Sequence, residues 1–294
     1  MNGIVNVNKP VGMTSHDVVN RLRRILDMKK IGHTGTLDPD ASGVLPMCAG
    51  RATKLAEYLT ASDKEYRTVM TLGAVTDTQD AGGEVLKRFE VNADEAQIRS
   101  AAESFVGDIM QLPPMYSAVR VDGKKLYELA REGKTVERTP RPVTVHSIGI
   151  EEIDTVRHTV GMKIACSKGT YIRTLCNDIG EKLGCGGYMS SLVRTRSGRF
   201  TLENSHTLEE LEEMTARGDF SFIIPIGEAL SEYEKVVLAE RNAWRVRHGM
   251  GIAVQGLAEG CTYRLFDESG EFLALAKQES GRTAVIKRFF GEVC

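Results

Sequence analysis

The stretch Gly32-His33-Thr34-Gly35-Thr36-Leu37-Asp38-Pro39-Asp40-Ala41-Ser42-Gly43-Val44-Leu45-Pro46 decides how the rest of this 294-residue chain is read. It lies between two helical patterns and carries three glycines, two prolines and two carboxylates. Connections of that length without periodicity are uncommon in compact domains, and the ordered ones are usually functional. Leu37, Val44 and Leu45 supply apolar anchors that a solvated linker lacks. Pro39 biases Asp38 toward an extended backbone, and Gly35 and Gly43 permit tight turns on either side. The expectation is an ordered loop over 32–46 that presents one short acidic side chain at a fixed angle. At this level Asp38 and Asp40 are equal candidates.

Bulk properties narrow the class. Apolar residues make up 41% and charged residues 27%, an ordinary globular balance. No run of about eighteen apolar residues occurs, and Met1–Val5 lacks the basic region and apolar core of a signal peptide. A cytoplasmic protein with no membrane association is expected. The six cysteines are scattered without a C-x-x-C pair, which argues against zinc and for reduced thiols. The net charge of −2 conceals an asymmetry. Residues 163–200 carry seven Lys/Arg against two acids, and residues 201–234 carry nine acids against Arg217 alone. Local fields rather than the net sum steer a polyanion, so a basic face and an acidic back are expected.

Along the chain, Gly3–Asn8 reads as a strand. Thr14 and Asp17 form a capping box opening a helix with the apolar stripe Val18, Val19, Leu22, Ile25, Leu26. Ala52–Leu59 and Ala93–Val106 read as helices, and Tyr66–Leu72 as a strand. Thr76–Gly83 is a polar loop whose Asp77 and Asp80 lack the alternating spacing of an EF-hand. Residues 111–145 form an irregular basic segment with Tyr116 and Tyr127, suited to packing on nucleic acid. His146–Ile153 and Thr159–Ser167 alternate like paired strands. A helix over Tyr171–Leu183 then places Arg173 in its first turn, against the macrodipole, which implies an acidic partner across space. Gly187–Thr195 reads as a strand, and 201–232 as a helical, acidic connection. From about 233 the texture changes to a helix at Ala239–Arg247 and the short strands Ile252–Val254, Thr262–Phe266, Phe272–Ala276 and Ala284–Arg288, a small β module. Phosphate-binding, dinucleotide, zincin and G-x-S-x-G signatures are absent.

The loop Gly32–Pro46 resembles the signature loop of the bacterial tRNA pseudouridine-55 synthases. The resemblance runs through Asn8-Lys9-Pro10-x-Gly12-Met13-Thr14-Ser15, Asp63-Lys64-x-Tyr66-Arg67 and Gly73-x-x-Thr76-Asp77-Thr78-x-Asp80. It continues in Pro113-Pro114-Met115-Tyr116-Ser117-Ala118, Gly169-Thr170-Tyr171-Ile172-Arg173 and Ser191-Leu192-x-Arg194-Thr195-x-x-Gly198. It implies an α+β pseudouridine synthase fold, with a central mixed, largely antiparallel sheet flanked by helices over 1–232. The 233–294 module resembles a small PUA-like RNA-binding domain in size, position and strand content. Asp38 matches the family's catalytic aspartate, Arg173 the arginine that pairs with it, and Tyr66 the tyrosine against the target base, candidate for moving the C5 proton. His33 matches a histidine stacking where the flipped nucleotide leaves, Tyr171 and Leu192 match pocket walls, and Asp80 a polar group near the uracil edge. Lys9, grouped with these substrate-binding positions, is expected to act as structural support. Taken singly, Tyr66 reads as a core tyrosine, His33 as a turn histidine and Arg173 as surface; the joint match reverses those readings.

The implied substrate is a uridine in the tRNA T-arm, extruded from its stack at a cost of a few kcal/mol. The reaction breaks N1–C1′, turns the detached uracil and joins C5 to C1′, and it needs no cofactor or metal. An ionised carboxylate begins it by covalent attack or by taking the 2′ proton. Asp40 stands where relatives often carry an apolar residue and is expected to face solvent. A monomer acting alone is expected. One alternative is a guide-RNA-dependent synthase, which works with partner proteins and usually carries basic extensions. Another is a non-catalytic RNA-binding or RNA-folding protein, against which the intact Asp38, Tyr66 and Arg173 set argues.

Overall fold

A computed structural model describes residues 1–121, 123–279 and 282–288. Asp122 of the 111–145 segment, and Cys294, the last of the six cysteines, lie outside the described residues. The architecture is α+β, built on a ten-stranded sheet. Its order is Ile223–Ile224, Gly3–Lys9, Ser42–Ala49, Gly187–Ser197, Lys64–Leu72, Thr159–Cys166, Arg141–Asp154, Gly107–Gln111. Ile31–His33 adds to Ser42–Ala49, and Phe200–Thr201 adds to Gly187–Ser197. Neighbours are antiparallel except at one junction, where Ser42 and Gly43 run parallel to Val193 and Arg194.

That junction corrects the reading of the opening stretch. Residues 32–46 are not one irregular loop: Ile31–His33 and Ser42–Ala49 are strands, and only 34–41 connects them. Ser42–Ala49 is buried along nearly its whole length. A strand covered on both faces shows no alternation for a sequence to betray. Pro46 is accommodated within it, opposite Asn6, while its carbonyl accepts from the Thr34 amide and hydroxyl. Gly43 is obligatory, with φ at +103° and the place of a Cβ only 2.3 Å from the Arg194 carbonyl oxygen.

Several expected elements hold with shifted ends. The Thr14–Asp17 capping box opens a helix over Ser15–Ile25, with Val18, Val19 and Leu22 facing the core. The 93–106 helix is Glu95–Glu103, capped by Asp94 and Gln97. The 52–59 helix is a 3-10 turn, Gly50–Leu55, continuing as Ala56–Thr60. Lys64–Leu72 alternates inward and outward as its period requires. Ile172–Lys182 packs along Gly187–Ser197, where Gly180 lets helix and strand backbones approach: a Cβ there would lie 2.2 Å from the Gly187 amide nitrogen.

Two expectations fail. Residues 201–232 are not a helical connection: the helix is confined to Leu208–Ala216 and the short turn Ile226–Ala229, and Ile223–Ile224 joins the main sheet against Ile4 and Val5. The acidic helix is tied down rather than simply solvated, since Glu212 and Glu209 grip Arg21 at 2.9 and 3.2 Å. The basic stretch 163–200 is not a single face either, because Arg173 and Arg194 are buried. Beyond residue 233, a second sheet of order Glu234–Val237, Thr262–Phe266, Phe272–Glu279, Arg282–Arg288 forms its own apolar core with the Glu240–Arg247 helix. Ile252 contributes only an isolated bridge to Thr283, not the expected strand. Phe272 and Leu275 pack on Ile226 and Ala229, which seats this sheet against the main one. Among the described residues no helix is long and apolar enough to cross a membrane.

Candidate active site

Asp38 sits on the 34–41 connection, which is pinned on both sides of it. On one side the Ser15 hydroxyl, in the first turn of its helix, accepts from the Leu37 amide at 2.9 Å and donates to the Leu37 carbonyl at 3.1 Å. On the other, the Pro39 carbonyl accepts from the Gly12 amide at 2.9 Å and from Lys9 Nζ at 3.2 Å. Lys9 has 0% of its surface exposed, and its ammonium also donates to the carbonyls of Pro10 and Met13. The segment from Lys9 to Ser15 is therefore a cradle for the acid loop. Lys9, grouped in the sequence reading with the substrate-binding positions, is fully enclosed, with its ammonium spent on the carbonyls of this cradle and of Pro39.

Burial pulls the Lys9 ammonium down to about 8, against the attraction of Asp38 and Asp40. The folded value lies below the unfolded one, so Lys9's contribution to stability is lost below about pH 8 and grows as pH rises through that point. Lys9→Met should lower the melting temperature and slacken the Pro39 turn, with kcat falling about tenfold. The gap in melting temperature from wild type should widen between pH 7 and pH 9. Thermal melts across that range check this, and a constant gap would rule it out.

Facing this loop, Arg173 projects from the first turn of Ile172–Lys182, and the acidic partner expected across space is present. Its Nη2 lies 3.3 Å from Asp38 Oδ2, and its Nη1 lies 3.4 Å from Asp80 Oδ2. Its shortest bond goes to the Tyr116 carbonyl, at 2.7 Å. Asp80 is held by the turn 76–83, where it accepts from the Thr78 hydroxyl at 2.6 Å and the Gly82 amide at 3.1 Å. The turn is itself fastened by reciprocal bonds between Gln79, Ala81 and Met189. Asp38 keeps 38% of its side chain exposed, enough for a substrate to reach it. Burial of the rest pushes its pKa up; Arg173 opposes that shift, while Asp80 and Asp40 reinforce it. Asp40 is exposed, as expected.

Tyr66 is buried on Lys64–Leu72, in register with Arg194 on the neighbouring strand. Burial pushes its hydroxyl pKa up, and the Arg194 guanidinium beside it pulls the other way. Leu192, two residues before Arg194, is buried opposite Thr68. His33 ends the Ile31–His33 strand half-buried. Burial and the nearby charges of Arg194 and His16 lower its pKa, which favours the neutral ring. Tyr171 is the half-buried N-cap of the Arg173 helix. The structure thus joins Asp38, Arg173 and Asp80 directly and places Tyr66 within electrostatic reach of Asp38.

Sequence reasoning missed Ser15, the Tyr116 carbonyl, Gln111 and the role of Arg194. Arg194 read as one basic residue among several. It is 2% exposed and donates to the Val44, Thr36 and Gly35 carbonyls, bracing the far side of the acid loop. Its place in the motif ending at Gly198 was the available signal. Backbone acceptors such as Tyr116 leave no signal at all.

The buried arginine joins Asp38 and Asp80, two of the positions that the resemblance to the pseudouridine-55 synthases singled out, and comparison with known proteins shows the family. The family model "TruB family pseudouridylate synthase (N terminal domain)" matches residues 23–172, and "tRNA pseudouridylate synthase B C-terminal domain" matches 173–231. The chain belongs to the TruB family of pseudouridylate synthases. It is 50% identical over 249 residues to tRNA pseudouridine synthase B of Alkaliphilus oremlandii, covering 85% of this chain and 82% of that one. It is 46% identical over 284 residues to the Clostridium novyi protein of the same name, covering 95% and 96%. Among solved structures, a chain of a Cbf5-Nop10-Gar1 complex superimposes with a TM-score of 0.78 at 30% identity, covering 98% of this chain and 85% of that one. A chain of an H/ACA RNP bound to a substrate RNA gives 0.76 at 29%, covering 99% and 86%.

Proposed function

We propose that this protein isomerises uridine 55 in the T-loop of tRNA to pseudouridine. The observation that carries the proposal is the Asp38–Arg173–Asp80 array, in which a buried arginine holds a part-exposed acid. Arg173 orients an acid that is partly reachable from solvent, and a buried Tyr66 stands behind it. In this reading the extruded uridine passes His33, lies between Tyr66 and Leu192 with Tyr171 at the wall, and meets the Asp38 carboxylate at its ribose. Tyr66 moves the C5 proton. Asp80 both holds Arg173 and faces the uracil edge. The basic segment 111–145 clamps the T-arm. Residues 233–294 form a PUA-like RNA-binding domain set against a 1–232 catalytic domain. The protein works in the cytoplasm as a monomer.

A guide-RNA-dependent synthase is the second reading, favoured by the likeness to chains of a Cbf5-Nop10-Gar1 complex and of an H/ACA RNP. The relatives at 44–50% identity, named tRNA pseudouridine synthase B, favour the stand-alone enzyme. One experiment separates the two. An isolated T-arm hairpin is incubated with the purified protein and its pseudouridine is mapped by sequence position. Conversion at the position of uridine 55 without a guide is expected. Conversion that required a guide RNA would favour the second reading, and no conversion under either condition would overturn both.

A further inference from the structure

The helix that carries Arg173 begins without a side-chain cap of its own. Its N-cap, Tyr171, makes no side-chain bond to the first turn, and it follows the turn Ser167–Thr170, in which Gly169 has φ of +82°. Helix N-termini leave amides without intrahelical partners, and something must fix them. Here the fixing group comes from another part of the chain. The Gln111 amide oxygen accepts from the Tyr171 amide at 2.7 Å, and its Nε2 donates to the Tyr171 carbonyl at 3.0 Å. Gln111 is 2% exposed, so an unmatched amide at this place would carry the full cost of desolvation. Both of its polar ends are used on one residue.

Gln111 is also the last residue of the edge strand Gly107–Gln111, paired with Arg141. The chain leaves it through Pro113 and Pro114, whose fixed φ stiffens the path, and reaches Tyr116, whose carbonyl takes the shortest bond of Arg173. One stretch of chain therefore grips the same helix turn twice, by backbone at Tyr171 and by side chain at Arg173. Arg173 in turn is what stands 3.3 Å from Asp38.

We infer that Gln111 is a positioning residue of the active site: it fixes the start of the 172–182 helix and so sets the distance between Arg173 and Asp38. It also makes the base of the 111–145 segment and the catalytic pair a single unit. This deepens the function proposed above and rests on that reading for its kinetic consequence. Displacement of a catalytic group by about 1 Å costs on the order of 100-fold in rate.

Two variants test the inference. Gln111→Met removes both bonds. Gln111→Glu keeps the acceptor, and it regains a donor when its carboxyl is protonated. Single-turnover assays on a T-arm hairpin should show kcat down about 10- to 100-fold in Gln111→Met with RNA affinity unchanged. Measured against wild type at each pH, Gln111→Glu should recover as pH falls, and Gln111→Met should not. The groups facing Asp38 are Arg173, Asp80, Asp40 and Lys9. With Arg173 displaced, the two acids dominate, so the Asp38 titration should move to higher pH in Gln111→Met. Carbon-13 NMR of labelled aspartate, assigned with Asp38→Asn, reads that shift without any turnover. A folded Gln111→Met with unmoved Asp38 titration overturns the inference, as does one with wild-type kcat. Absence of turnover in wild type would overturn the functional reading instead, and the titration alone would then decide this one.

Discussion

Asp38→Asn should abolish tritium release from C5-labelled tRNA, a loss on the order of 10⁴-fold or more, while tRNA binding persists. The amide matches the carboxylate in shape and keeps the Leu37 and Pro39 anchors, which are backbone bonds to Ser15, Gly12 and Lys9. It removes the negative charge on which both attack and proton removal depend. The fold should not suffer. Asp38's pKa is raised in the folded protein, so its stabilising contribution is greatest below the unfolded pKa and is lost as pH rises through the folded one. The ionised carboxylate is therefore the costlier form in the folded chain, and Asp38→Asn should melt at the wild-type temperature or above it. For wild type, the same shift means that activity declines on acidification at a pH higher than an ordinary carboxylate would set. Release that survives in a folded Asp38→Asn would remove the acid from the mechanism.

Much of this site was legible because the local signals are strong. The Thr14–Asp17 box, the inward alternation of Lys64–Leu72 and the unfavourable place of Arg173 in a first turn each carry their own physical logic, and the structure meets each. The misreadings share a different cause. Ser42–Ala49 is covered on both faces and contains Pro46, so neither period nor propensity marks it as a strand. Ile223–Ile224 is a strand only because Gly3–Lys9 offers it an edge. Arg194 looks like a surface cation until the carbonyls that surround it are known, and those belong to residues up to 159 positions away. Gln111 bonds a backbone 60 positions along the chain. What sequence could not supply was long-range placement of side chains on backbone acceptors. Residue reading alone left Asp38 and Asp40 equal and the resemblance chose between them; the structure sets Asp38 against Arg173 and leaves Asp40 exposed.

Arg173→Met should lower turnover about 10²- to 10³-fold, the range for removing one preorganised charged donor, and it should also move the pH profile. Methionine fills much of the buried volume, but Asp38 and Asp80 then share the site with no cation between them. Burial, Asp80 and Asp40 already push the Asp38 pKa up, and Arg173 is the main force against them. Without it the acid protonates at higher pH, so the acid limb of kcat should shift upward and part of the lost rate should return as pH rises toward 9. Arg173→Lys keeps the charge but not the fork that serves Asp38, Asp80 and the Tyr116 carbonyl together. It should restore the limb more than the rate. The destabilisation should be smaller than for a fully enclosed ion pair, because water reaches Asp38. The discriminating result is the limb: if Arg173→Met loses rate equally at every pH, the arginine acts on the RNA and not on the carboxylate.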